Sequence, residues 1–390
     1  MRLGFHYHVP ATSVDGQIRM PAYQGRFVDA LADQCSDVVC FLHTPVGNER
    51  QQMDYALQRQ NVRLVDLGPH TTVPRRLLSV RKYRQILRKE KQGLDVMLLR
   101  GPSPLLPALG STARPVPIAL LLVGDNVAGV GDSRQPFWRR EAIRLLWQWN
   151  RRCQNQIAAK TLTFVNSRKL FRELQPYVPN LVETRTTTLT RADFFDREDT
   201  CTRAPYRLLY TGRMTRGKGL IEIVEALALL VQQGEDVVLD LVGWPEKNDD
   251  VLEETKQVAA RLRVTERVKF HGPKAAGPEL YAHYRTADVY VIASKSVEGF
   301  PRTIWEAMAH SLPVVATRVG SIPDFVDGTA ELVPPKDVSS LSAAIRSLIH
   351  SPARRKELIR NGRALASEIT LEKQVGKMVE DIERFVAEKK

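Results

Sequence analysis

The chain has 390 residues, 43% of them apolar, with 57 Lys and Arg against 44 Asp and Glu and a formal net charge of +13. This length allows two domains, each with its own core, and no apolar run reaches the ~20 residues of a membrane span. Cys35, Cys40, Cys153 and Cys201 form no C-x-x-C pair and no metal-ligand spacing, so the expectation is a protein of a reducing cytosol without a structural metal.

The charge is segregated. Residues 1–185 hold 27 Lys and Arg against 14 Asp and Glu, whereas residues 186–390 hold 30 of each. An excess confined to one half points to an anionic partner there: nucleic acid, an anionic membrane surface or a phosphorylated acceptor. Charge carried for solubility alone does not account for the segregation.

In chain order, the start, MRLGFHYHVP, reads as a strand over Leu3–Tyr7 rather than a signal peptide, since no apolar stretch follows the charge. Pro10–Gly25, with Gly16 and Gly25 and few apolar residues, reads as a long loop into a helix over Arg26–Gln34. Val38–Leu42 and Val62–Leu67 read as strands, and Leu94–Leu99 and Ile118–Val123 as strands buried on both faces. The last of these ends at Gly124-Asp125-Asn126. Pro74–Gly93 sets Leu77, Leu78, Tyr83, Ile86 and Leu87 among eight Lys or Arg, and Pro136–Lys160 sets Trp138, Trp147 and Trp149 beside Arg139, Arg140, Arg144, Arg151 and Arg152. Basic helices with interfacial tryptophans suit an anionic bilayer surface; two ordinary helices packed on a sheet fit equally well. No nucleic-acid fold motif accompanies the charge. Leu162–Ser167 reads as the strand that closes the first sheet. Arg191–Arg207 mixes both charge signs, lacks an apolar period and contains Pro205, so it reads as a linker between domains.

The second half opens with a strand at Tyr206–Thr211, then GRMTRGKG over Gly212–Gly219, then a helix over Leu220–Leu230. Gly212-x4-Gly217-Lys218 nearly matches a P-loop, and Val237–Asp240 passes for a Walker B strand. A P-loop needs Ser or Thr after the lysine to hold Mg²⁺, and Gly219 stands there. A strand over Val237–Gly243, a helix over Asp250–Leu262, a strand over Val268–Gly272 and a short helix over Glu279–Arg285 follow. Ala287–Thr317 then reads as strand, loop, helix, strand. The loop holds Glu298, Gly299, Phe300 and Pro301, and the helix over Arg302–His310 holds Glu306. A loop crossing the carboxyl end of a parallel strand lies where open α/β sheets bind ligands. A helix starting there offers free N–H groups and a favourable dipole to an anion such as a diphosphate. Glu298 and Glu306 suit sugar and ribose hydroxyls; the plainer reading makes them solvated charges. Helices over Ser339–His350, Ala353–Ala366 and Leu371–Lys389 finish the chain.

Glu298-Gly299-Phe300, the seven-residue gap to Glu306, then Glu-Ala-Met-Ala and Pro-Val-Val-Ala-Thr, resemble the nucleotide-sugar site of family 4 retaining glycosyltransferases of the GT-B fold. The resemblance covers Tyr206–Ile349 well and the first half loosely. It implies an α/β protein of two doubly wound Rossmann-like domains facing a cleft: residues 1–190 for the acceptor and 206–370 for the nucleotide sugar, with a last helix, 371–390, that crosses back onto the first. In the resemblance Arg213 and Lys218 bind the donor diphosphate and neutralise the departing nucleotide, Glu298 holds the donor sugar and Glu306 the ribose. Gly212, Gly243, Gly299, Phe300, Pro301, Arg302 and Thr303 join the donor site, the end of the strand at His271 resembles a base-contacting loop, and the loop with Gly16 borders the transferred sugar. Many family members carry a histidine near the position of Asp125; here Asp125 is either a sugar-hydroxyl ligand or a loop cap.

The function implied is transfer of a sugar, with retention and without a metal or other cofactor, from a nucleoside-diphosphate sugar to a glycan or polyprenyl-linked acceptor in cell-surface polysaccharide or glycolipid synthesis. The expected place is the cytoplasm, peripheral on the inner face of the membrane, with the basic first half on its anionic surface and no nucleic acid as partner. A nucleotide-sugar epimerase of the same fold and a nucleotide-regulated RNA-binding protein are the alternatives.

Overall fold

Continuous apolar runs become strands when both faces of a sheet are covered, and most strands here are of that kind. The computed structural model describes residues 1–123, 137–246, 249–295 and 302–389. They divide into two units, Met1–Thr188 with Leu371–Lys390, and Leu189–Thr370.

The first unit runs β1 (Arg2–His6), β2 (Thr12–Val14), β3 (Gln17–Met20), α1 (Ala22–Gln34), β4 (Asp37–Thr44), β5 (Tyr55–Ala56), β6 (Val62–Pro69), α2 (Val73–Leu78), α3 (Val80–Glu90), β7 (Val96–Gly101), α4 (Leu106–Ala113), β8 (Ile118–Leu122), α5 (Phe137–Ala158), β9 (Leu162–Val165), α6 (Arg168–Leu174) and β10 (Leu181–Glu183). Seven strands form a sheet in the order β10-β9-β8-β7-β1-β4-β6, every pair parallel. Side chains alternate across it. Leu3, Phe5, Val38, Cys40, Leu98 and Leu121 enter one core with α1 and the last helix, while Val39, Phe41, Leu99 and Leu120 enter the other with α3 and α4.

Two expectations for this unit are corrected. Pro10–Gly25 is not a long loop: β2 and β3 pair antiparallel as Thr12↔Arg19 and Val14↔Gln17. Asp15 (φ 51°) and Gly16 (φ 77°) make the turn, an Asp-Gly pair being the usual choice where two successive residues need positive φ. Leu162–Ser167 does not close the sheet, because β10 pairs outside β9.

The second unit runs β11 (Tyr206–Thr211), α7 (Leu220–Gln232), β12 (Val237–Val242), α8 (Val251–Arg261), β13 (Val268–Gly272), α9 (Pro278–Thr286), β14 (Val289–Ile292), α10 (Arg302–Ala309), β15 (Val314–Thr317), α11 (Ile322–Val326), β16 (Glu331–Val333), α12 (Val338–His350) and α13 (Pro352–Ser367). Its sheet order is β13-β12-β11-β14-β15-β16, again parallel. Both units are doubly wound Rossmann-like folds, with the order reversing between β1 and β7 in the first and between β11 and β14 in the second.

The stretch read as a linker belongs to the second unit. Phe195 N donates to Ala309 O at 3.0 Å, Cys201 N to Asp288 Oδ1 at 2.7 Å, and Asp199 takes the buried Arg355 guanidinium at 2.7 Å. Mixed charge there serves intramolecular pairing rather than solvation. The final helix, α14 (Leu371–Ala387), buries Val375, Met378, Val379 and Ile382 in the first unit's core.

Candidate functional site

The second unit's sheet reverses its strand order between β11 and β14, and the glycine-rich stretch follows β11 directly. Three strand ends are laced together there. Gly212 N donates to Val242 O at 3.0 Å, Met214 N to Trp244 O at 2.8 Å, and Gly243 N to Gly272 O at 2.9 Å. Gly243 has φ +150°, and a Cβ on it would lie 1.8 Å from Gly212 O. Only glycine lets the two backbones approach this closely.

Arg216–Lys218 forms a single 3₁₀ turn, and Gly219, at φ 73°, leads into α7. A Cβ on Gly219 would sit 1.9 Å from Ala293 O, and Lys295 N donates to Gly217 O at 2.8 Å. The turn is thus pressed against the end of β14. That contact excludes the Ser or Thr a P-loop requires at this position and removes the P-loop alternative. Arg213 is exposed, with its Nη1 3.3 Å from Glu246 Oε2, and its carbonyl accepts from the Tyr210 hydroxyl at 2.7 Å. Lys218 is half-buried. Lys295, which the sequence did not single out, pairs with Glu222 at 2.9 Å in a largely buried setting.

Glu306 is brought to the same strand end by a chain of hydroxyls. Tyr284, fully buried on α9, donates to Glu306 Oε2 at 2.8 Å and lies 2.6 Å from Thr211 Oγ1. Tyr290 reaches Thr211 O at 3.3 Å and also bonds Thr303. Burial, then the Glu306 charge, holds the Tyr284 phenol well above its usual range, so it is a permanent donor that fixes one carboxylate oxygen. Neither tyrosine was singled out from the sequence, since their hydroxyls meet Thr211 only in the folded sheet. Arg302 is exposed and Thr303 half-buried at the start of α10, where free N–H groups favour an anion.

His271 is half-buried at the end of β13. Its Nε2 lies 2.7 Å from Asp240 Oδ1, and the buried Asp240 also takes Arg207 at 2.7 Å. Gly16 is needed by its own hairpin turn and has open space around it. Asp125, Glu298, Gly299, Phe300 and Pro301 lie outside the described residues. Among the described residues no group of three or more His, Cys, Asp or Glu is placed to hold a metal ion, and no helix is long and apolar enough to cross a membrane.

Residues 196–365 match the family model described as Glycosyl transferases group 1. The chain is 35% identical over 163 residues to D-inositol 3-phosphate glycosyltransferase of Pseudarthrobacter chlorophenolicus, covering 41% of this chain and 38% of that protein. It is 36% identical over 155 residues to MMP alpha-(1->4)-mannosyltransferase of Mycolicibacterium hassiacum, covering 39% and 36%. The matched stretch is thus well under half the length of these curated relatives. The structure of Anabaena HepE in complex with UDP and glucose is similar in fold over 98% of this chain and 99% of that one, with a TM-score of 0.69 at 18% identity. Sequence kinship to glycosyltransferases is therefore carried by the second unit, and likeness of fold by both.

Proposed function

We propose that the protein transfers a sugar from a nucleoside-diphosphate donor held on the second unit to an acceptor held on the first. The observation that carries this is the junction after β11. It is a strand-to-helix turn at the sheet's reversal point, built so closely that Gly219 and Gly243 admit no side chain, with Arg213 and Lys218 on it, in a stretch that matches glycosyltransferases. The role needs permanent positive charge beside the leaving diphosphate, where it offsets charge that grows in the transition state. Arg213, Lys218 and the N–H groups at Arg302 and Thr303 supply it without a metal. Glu306, steadied by Tyr284, takes the ribose hydroxyls, and Glu298 the sugar. Transfer on the departing nucleotide's own face gives retention.

The acceptor belongs to a glycan or lipid-linked phosphate, and the basic first unit attaches to an anionic membrane surface. On α3, Tyr83 and Leu87 pack inward while Arg81, Lys82, Arg88 and Lys89 are exposed; nearby Leu78 is 86% exposed, and on α5 Leu145 and Trp149 are exposed as well. The decisive experiment is a screen of nucleoside-diphosphate sugars for nucleotide release, with mass spectrometry of the product. Release with a sugar joined to an added acceptor is expected. Conversion to an epimeric free sugar or nucleotide sugar without transfer would replace this reading with the epimerase one.

A further inference from the structure

The carboxyl ends of the first unit's strands gather a polar cluster from distant parts of the chain. β1 leads into His8, β4 carries His43, β6 leads into His70, β7 carries Arg100, and α2 contributes Arg76. β1 and β7 flank the reversal of strand order, where open α/β sheets bind ligands. Arg76 is 6% exposed and His43 0%. Nε and Nη1 of Arg76, Nε2 of His43, Nε2 of His70 and Nδ1 of His8 are buried without a hydrogen-bond partner.

A buried cation with unspent donors costs several kcal/mol, and native proteins rarely leave one so. The carboxylate nearby acts on it only through space and leaves its Nε and Nη1 donors unspent: Glu49 Oε1 takes His70 Nδ1 at 2.7 Å, and Oε2 takes Val46 N at 3.0 Å. We propose that Arg76, with His8, His43 and His70, forms a buried binding site for a phosphate group. Phosphate suits the cluster because it carries two charges and oxygens in several directions, matching a guanidinium from α2 and imidazoles from three strand ends that feel one another's charge. His43 Nδ1 donates to Gly68 O at 3.1 Å, so Nε2 is a lone pair in the neutral ring and a donor once protonated. Burial and then the Gly68 bond and Arg76 set the balance, leaving His43 down at about 4; burial and Arg76 do the same to His8. A dianion among them reverses the sign of the local field. His6, Glu49, Asp66, Tyr83 and Arg100 are ionisable groups coupled to the cluster.

The site stands on the first unit alone; that its phosphate belongs to the sugar acceptor rests on the proposed transferase function. The test uses the full chain in phosphate-free buffer. Inorganic phosphate and glucose 6-phosphate are titrated calorimetrically, and vesicles of phosphatidic acid are compared with vesicles of phosphatidylglycerol to separate a soluble phosphate ester from a lipid headgroup. Arg76→Met is expected to weaken phosphate binding at least tenfold and to raise the melting temperature without phosphate, because it removes an unpaired buried charge. An arginine with a purely structural role would lower it. Arg76→Lys and His43→Gln serve if the methionine variant does not fold, with the same loss of binding expected. No phosphate binding by the unaltered chain, or equal binding by the variants, overturns the site. Donor hydrolysis is followed in parallel: phosphate binding without any donor turnover leaves the site and removes the transferase reading, and the converse removes only the site.

Discussion

Replacing Gly219 by alanine tests the geometry of the donor junction most directly. The new Cβ would lie 1.9 Å from Ala293 O and 2.6 Å from its carbonyl carbon, on a backbone at φ 73°. The left-handed conformation alone costs about 1–2 kcal/mol for a residue with a Cβ. The overlap is with backbone, so α7 and the end of β14 must separate, which brings the total to roughly 3–5 kcal/mol, the range of overpacking added to backbone strain. For a unit of this size each kcal/mol lowers the melting temperature by about 2–4 °C, so calorimetry should show the second unit's transition fall by roughly 6–20 °C. Gly234→Ala is the control within the same unit. Its φ is 86°, but nothing lies within 4 Å of the added Cβ, so only the conformational part of about 1–2 kcal/mol should appear. Equal shifts in the two variants would refute the close contact between the turn and the end of β14.

Arg213→Ala and Lys218→Ala should each lower turnover at least roughly tenfold through lost stabilisation of the leaving group; full turnover in both, with circular dichroism unchanged, would remove the diphosphate assignment. Tyr284→Phe should destabilise the second unit by about 1.5–3 kcal/mol, the worth of a hydrogen bond to a charged group, and, like Glu306→Gln, weaken nucleoside-diphosphate binding in a calorimetric titration; unchanged affinity in both would contradict a ribose contact. Burial lowers His6 to about 3 and His43 to about 4 from 6.5. The unfolded chain therefore binds more protons below pH 6.5, and stability, full above that value, should fall as pH drops toward 4 by about 1.4 kcal/mol per pH unit for each histidine. Urea unfolding in phosphate-free buffer at pH 7.5, 6.5 and 5.5 checks this, and a flat profile would refute it. Changing Arg81, Lys82, Arg84, Arg88 and Lys89 to glutamine should abolish co-sedimentation with anionic vesicles and leave neutral ones unaffected, each charge being worth about 1 kcal/mol near such a surface; binding that ignores lipid charge would end the membrane reading.

Most strands of both sheets were legible because a strand buried on both faces must be apolar at every position, as in Leu94–Leu99 and Ile118–Val123, and that constraint is local; the edge strands β10 and β16, three residues each and mostly half-buried, were not. The β2–β3 hairpin was also written locally, in Asp15-Gly16, but its strands of three and four residues are too short for a period to show. The P-loop-like GRMTRGKG was settled by distance. Gly219 departs from the motif by one residue, and only the fold shows that Ala293, 74 positions away in the chain, leaves no room for another. The same holds for Arg191–Arg207, which read as a linker between domains, whereas in the fold Asp199 meets Arg355. Tyr284 and Tyr290 carry no signal in the sequence, yet Tyr284 ties Glu306 to Thr211 and Tyr290 reaches the same residue. His8, His43, His70 and Arg76 carry no mutual spacing in sequence; parallel strands bring their carboxyl ends to one edge regardless of the lengths of chain between them. Sequence determined most of the elements, because apolar pattern and φ preference are properties of single positions and their neighbours. Tertiary structure decided the sites, because the pairing and desolvation of a charge depend on residues that only the assembled sheet brings within a few ångströms.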